Sequence, residues 1–207
     1  VTRFDFPHKG YLLGLIDDFA LLKNKIPDLK LTVIGYGVGE RELRKKISNY
    51  NISIMQDIEL VGEVASEELV SYFNESKVFI GLAGALLDAV SFALPSIVVR
   101  HYTKKCEAYG FYHSNSSKII SETPGSPTNA YLEEIMSMDE TNYIRLSKIT
   151  YEEYIKVHGE KKDNLLHNSI VKKKQILNEK KFAIAKKISN RYLRRQRRKR
   201  NLSYLRH

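Results

Sequence analysis

The residue types that could do chemistry gather in one stretch, SKVFIGLAGALLDAVSFALPSIVVR, residues 76–100. An apolar run at 78–80 leads into two glycines, Gly81 and Gly84, and then into a helical run that carries one acid, Asp88. A glycine turn at a helix start lets backbone N–H groups approach an anion. A carboxylate on the first turns of that helix stands where a doubly wound sheet meets a nucleotide ribose. A second glycine cluster, Gly35, Gly37 and Gly39, follows another apolar run. Taken alone, it reads as turn chemistry more often than as a phosphate cradle.

The elements that must position these groups follow from periodicity. Residues 1–6 read as the end of a strand broken by Pro7, and a helix with a broad apolar face opens at Lys9-Gly10 and is ended by Pro27. Residues 29–34 predict a β-branched strand, GERELRKKI a charged helix, and residues 58–61 another short strand. Ser66 is expected to cap the helix EELVSYFNE, with Glu67 and Glu68 favoured by the dipole in its first turn. Pro95 then separates the helix bearing Asp88 from a strand at 97–99. Such strand–helix alternation predicts a doubly wound α/β domain, a parallel sheet of about six strands with helices on both faces. Beyond Arg100 the pattern weakens. Residues 118–121 are expected to add a strand, and two helices are expected near 131–138 and 140–157, the second capped by Asp139.

Charge divides the chain. Residues 161–207 hold 17 Lys and Arg against 2 Asp and Glu, whereas residues 1–160 hold 17 against 22. The body, at −5, is mildly acidic, and the whole positive excess lies in a helix-prone tail that ends in RRQRRKR. A boundary is therefore expected at 160, with a Rossmann-like domain before it and a basic helical or partly disordered tail after it. Three readings of the tail stay open: a peripheral anchor on an anionic membrane surface, a nucleic-acid contact, or a solvated extension. No apolar run approaches the length of a membrane span. The single cysteine, Cys106, forbids an internal disulfide and fits a reducing, cytoplasmic compartment. It lacks any recognisable nucleophile context. The chain opens on Val1 without an initiator methionine, as expected for a piece of something larger. The six histidines have no metal-ligand spacing, and His8 beside Lys9 is the one to watch.

In this order the segments TRFDFPHKG, LTVIGYGVGE, IELVGEVASEEL and FIGLAGALLDAVSFALPSIVV resemble the C-terminal, donor-binding domain of GT-B glycosyltransferases of the family 4, group 1 type. The resemblance covers about 100 residues. It implies that Arg3 and Lys9 bind the diphosphate of a nucleotide sugar. It further implies that the backbone at Gly84-Ala85-Leu86 meets the same diphosphate, that Asp88 binds the ribose, and that Glu63 and Val64 line the nucleobase. Leaving-group charge of this kind needs fixed cations as the glycosidic bond breaks, which agrees with the assignment.

The implied activity is a hexosyl transfer, retaining, from a UDP-type donor to a glycan or lipid-linked acceptor at the cell surface. No resident cofactor or metal is expected, because cations take that role and no Asp-x-Asp site exists. The implied partners are the nucleotide sugar, the acceptor, an N-terminal acceptor domain outside these residues and an anionic membrane surface reached through the tail. The implied location is cytoplasmic, at the inner face of the membrane. One position departs from the pattern. Eight residues before Asp88, where the family carries the first acid of its pair, stands Ile80. That departure keeps one alternative open, a degenerate, non-catalytic interaction module, and the basic tail by itself keeps open a second, a nucleic-acid-binding protein acting through it. Arg3, Lys9 and Asp88 also have plainer readings, as solvated residues at element ends and on a polar helix face.

Overall fold

The computed structural model describes residues 1–159; the basic tail and the boundary proposed at 160 lie outside them. In chain order the elements are α1 (Tyr11–Lys23), β1 (Leu31–Val33), α2 (Glu40–Ile47), α3 (Ile52–Met55), β2 (Ile58–Leu60), α4 (Ser66–Glu75), β3 (Phe79–Gly81), α5 (Ala83–Ser91), β4 (Ser96–Val99), β5 (Glu107–Phe111), α6 (Tyr112–Asn115), a 3-10 turn (Ser116–Lys118), β6 (Ser126–Pro127), α7 (Asn129–Ser137) and α8 (Glu140–His158).

β1 and β2 pair in parallel, with Leu31 opposite Ile58 and Val33 opposite Leu60. β3 and β4 also pair in parallel, with Phe79 opposite Ser96 and Gly81 opposite Val98. Each parallel pair is joined through helical crossovers, as parallel strands require. The residues ahead of α1 form no strand of their own, yet they run alongside the continuation of β1. Thr2 N–H donates to the Ile34 carbonyl and Phe4 N–H to the Tyr36 carbonyl, both at 2.8 Å. That step of two residues on both sides makes the two segments run in the same direction.

β4 is the strand around which the layers close. All four of its residues are buried, and the two-residue period of a strand sends them to opposite faces. Ile97 and Val99 join a core built by α1, α2 and α7, with Leu15, Leu43 and Ile135 among its members. Val98 joins a second core on the other face, with Leu86 and Val90 of α5, Phe73 of α4, Tyr112 of α6 and Tyr154 of α8. An apolar strand covered on both faces is the mark of a parallel α/β sheet, and the fold is a Rossmann-like mixed α/β.

Four expectations are corrected. The sheet is not parallel throughout: β5 runs antiparallel to β4, and β6 antiparallel to β5. Residues 118–121 form no strand; they leave the 3-10 turn and cross the ends of neighbouring elements. Ser66 is the first residue of α4 rather than its cap, and Ala65 holds the cap position with no side-chain bond. Finally, α5 begins at Ala83, so Gly84 and Ala85 lie in its first turn and Leu86 one residue deeper. Asp139 does cap α8, its Oδ1 accepting from Asn142 N–H at 2.8 Å.

Candidate functional site

In both parallel pairs the chain leaves each strand at the same end, where the loops that carry the expected site residues lie. Gly35 and Gly37 follow β1, Glu63 and Val64 follow β2, Gly84 and Ala85 follow β3, and Arg100 with His101 follow β4. This is the end at which open α/β sheets bind ligands.

Two groups of residues form there. The first is tied together by backbone. Gly35 N–H donates to the Gly62 carbonyl at 2.7 Å, which sets Glu63 and Val64 beside the turn after β1. On its other side Gly35 meets Thr2, and Gly37 meets Phe4; a Cβ on Gly37 would lie 2.7 Å from the Phe4 carbonyl oxygen. Arg3, between Thr2 and Phe4, is exposed, and the turn through Pro7 returns Lys9 to it. The Lys9 ammonium is held below its ordinary range by partial burial first, then by the Arg3 charge, against an opposing pull from Asp5. The structure thus brings Arg3 and Lys9 close enough to feel each other. Like charges are held together at a cost that an anion between them would relieve.

The second group belongs to the β3–α5 connection. Neither Gly81 nor Gly84 occupies the left-handed region here; Ala83 does, at φ 53°. A non-glycine residue in that region carries backbone strain. Gly81 is small because a Cβ would strike the Phe79 ring at 2.7 Å, whereas Gly84 looks onto open space, with nothing within 4 Å of an added Cβ. Ala83 N–H is already bonded to the Ile119 carbonyl at 2.9 Å. The N–H groups of Gly84 and Ala85 then remain at the start of α5, since a helix leaves its first donors without intrahelical partners. Leu86 is fully buried in the core, and Asp88 lies on the exposed face of α5. Ile80, where an acid was looked for, is half-buried in β3 and packs against the α1 core.

Between the two groups stands a cluster of which the sequence singles out His8 but not His101. The rings of His8 and His101 lie 4.2 Å apart, and Tyr102 packs against both, at 4.9 and 5.4 Å. Tyr102 sits at φ 49° and donates its N–H to the His8 carbonyl at 3.3 Å. His101 is 6% exposed, and its Nε2 finds no hydrogen-bond partner among the described residues. Burial, then the neighbouring His8 and Lys9, lower the His101 pKa, with Glu122 pulling the other way. A single sequence offers no signal for this residue beyond its position just past an apolar strand. The segment after the 3-10 turn ties the cluster to α5: Ile119 accepts from Ala83 N–H, and Ser121 accepts from His101 N–H at 3.1 Å.

A neutral, buried His101 makes stability fall in acid. The unfolded imidazole titrates near 6.5 and the folded one lower, so the contribution is complete above about 6.5 and is lost as pH falls through the folded value. His113, also lowered by burial, acts in the same direction. Urea denaturation at pH 7.5 and pH 5 is expected to give a smaller loss for His101→Gln than for the natural chain. An equal loss would remove His101 from this account.

Among the described residues no group of three or more His, Cys, Asp or Glu side chains is placed to hold a metal ion. Among the same residues no helix is long and apolar enough to cross a membrane. Cys106 is buried, and burial pushes its thiol up to about 12, which keeps it protonated and unreactive at neutral pH.

The family model for group 1 glycosyl transferases matches residues 5–107. Comparison with curated proteins gives no match. Among solved structures the chain is similar to the Candida albicans trehalose-6-phosphate phosphatase N-terminal domain, at 14% identity and a TM-score of 0.53, over 74% of this chain and 36% of that one. At that identity the likeness speaks for the fold alone, and the chain spans about a third of that structure's length.

Proposed function

We propose that this chain, which belongs to the group 1 glycosyltransferases, is the nucleotide-sugar donor half of such an enzyme. The observation that carries the reading is the convergence of Arg3 and Lys9 beside the glycine turn after β1, at the ligand end of the sheet. In this proposal the two cations neutralise the diphosphate that departs with the nucleoside. The N–H groups of Gly84 and Ala85, without a backbone partner among the described residues, add the positive end of α5 to the same anion. Asp88 takes the ribose hydroxyls, while Glu63 and Val64 border the base. The donor is a UDP-type sugar nucleotide, the transfer retains anomeric configuration, and the acceptor is a cell-surface glycan or lipid-linked glycan presented by an N-terminal half. The enzyme works at the cytoplasmic face of the membrane, with the basic tail on anionic lipid. The binding half holds its nucleotide weakly and transfers nothing by itself.

Calorimetric titration of the chain with UDP, GDP and UDP-sugars tests this. Saturable binding is expected, and the Arg3→Ala/Lys9→Ala double variant should lose at least about 100-fold in affinity, since hydrogen bonds to charged groups contribute about 1.5–3 kcal/mol each. Binding that the double variant keeps would sink the assignment of the two cations. The apolar Ile80, in the position of an expected acid, favours a second reading, a non-catalytic relative retained for assembly. Nucleotide binding with no sugar transfer after an acceptor half is supplied would select it.

A further inference from the structure

Backbone hydrogen bonds between loops set the order of the rim at the ligand end of the sheet. Gly35 N–H bonds the Gly62 carbonyl and so joins the end of β1 to the end of β2. Thr2 and Phe4 N–H join the segment that carries Arg3 and Lys9 to the continuation of β1. Tyr102 N–H, bonded to the His8 carbonyl, joins the connection after β4 to the same segment, one residue before Lys9. The row therefore runs from Glu63 and Val64 past β2, through the two cations, to Tyr102 past β4.

Tyr102 is the unusual member of this row. Its backbone lies at φ 49°, a region that a bulky side chain enters only under constraint. Among the described residues three non-glycines stand in that region. Ala93 lies between α5 and β4, away from the ligand end, whereas Ala83 and Tyr102 both stand at it. Glycine would make the same turn without strain, so a tyrosine at this position carries a cost. Burial does not offset that cost, since Tyr102 is 54% exposed. The ring is nevertheless held. His8 and His101 pack against it at 4.9 and 5.4 Å, and His101 is itself buried. The chain just beyond is pinned where Gly10 lets the Thr103 carbonyl approach the start of α1.

A fixed, half-exposed aromatic ring beside two cations suits a ligand that joins an apolar face to an anion. A pyranose linked to a diphosphate is such a ligand, because its hydroxyls lie around the edge and one face presents C–H groups. On the basis of the donor-half function, we propose that Tyr102 is the platform on which the transferred hexose of the donor stacks. With the base against Glu63 and Val64 and the diphosphate at Arg3 and Lys9, the remaining end of the donor reaches the end of the row, where this ring lies. His8 and His101 are positioning residues that hold the ring. Stacking reads the C–H face rather than individual hydroxyls, so it selects a pyranose without fixing which hexose is carried.

The test titrates the full chain and its Tyr102→Phe and Tyr102→Gly variants with UDP, UDP-glucose, UDP-galactose, GDP and GDP-mannose. At least one nucleotide sugar should bind the natural chain about tenfold more tightly than its own nucleoside diphosphate. Tyr102→Phe should keep that margin. Tyr102→Gly should lose it while changing affinity for the nucleoside diphosphate by less than about twofold. Its thermal midpoint should not fall, because relief of the backbone strain offsets the lost ring contacts. Nucleotide binding without a hexose margin overturns the proposal and leaves the donor-half function standing. So does a margin that Tyr102→Gly keeps, or an equal loss of both kinds of ligand, which would make Tyr102 a brace for the cation segment. A chain that binds none of the five ligands overturns both.

Discussion

Gly35→Ala is expected to destabilise the chain by at least about 3 kcal/mol, the upper range for forcing a new group into a packed site. Two independent causes act together. The backbone at Gly35 lies at φ 145°, which an L side chain rarely adopts, and an added Cβ would lie 1.7 Å from the Thr2 carbonyl oxygen. That atom is backbone in a segment held by Thr2 N–H and Phe4 N–H, so it cannot swing aside. Gly84→Ala is the contrast, since its Cβ meets nothing within 4 Å. It should leave the fold intact, or stabilise α5 by up to about 1 kcal/mol. Urea midpoints separate the two. A Gly35→Ala chain as stable as the natural one would mean that the N-terminal segment does not lie against β1. The pair also divides the glycines by purpose: Gly35 is explained by the chain's own backbone, while the openness at Gly84 leaves room for a ligand.

Leu86→Ala carries the second large effect. Its side chain is 0% exposed and sits among Val90, Val98, Tyr112 and Tyr154. Truncation there should cost about 2–5 kcal/mol, transfer and cavity together. Leu86 was also expected at the anion-binding start of α5, but it lies past the first free N–H groups. Nucleotide affinity measured at low temperature, on the folded fraction, should therefore be unchanged. A variant that keeps its stability but loses affinity would return Leu86 to the site and remove it from the core.

Local signals were legible where one element answers to its own sequence. The strand at 97–99 declares itself by an unbroken apolar run, α8 by Asp139 ahead of a periodic segment, and the site loops by glycines after apolar runs. What stayed hidden depends on partners distant in sequence. β5, with the sequence EAYGF, has a glycine inside it and pairs back onto β4. Its strand character comes from the edge that β4 offers rather than from propensity. Residues 118–121 look like a strand because Ile119 and Ile120 are β-branched, yet Ile120 is largely exposed and the segment spends its carbonyls on Ala83, His101 and Tyr109. The turn before α5 was legible as a turn but not in its geometry, for the left-handed residue is Ala83 rather than a glycine. Arg3 and Lys9 could be singled out from the order of motifs. His101 could not, because only the fold carries it to His8.

The short segment after the 3-10 turn has a mechanical meaning. Its Ile119 carbonyl grips the start of α5, and its Ser121 carbonyl grips His101 just past β4, both through backbone bonds that no substitution short of proline at the donor removes. The start of α5 and the residues past β4 are thereby tied to one segment, and the His101 ring extends that tie to His8, the neighbour of Lys9. The rim of the sheet is in this way braced across three loops by backbone bonds and packed rings.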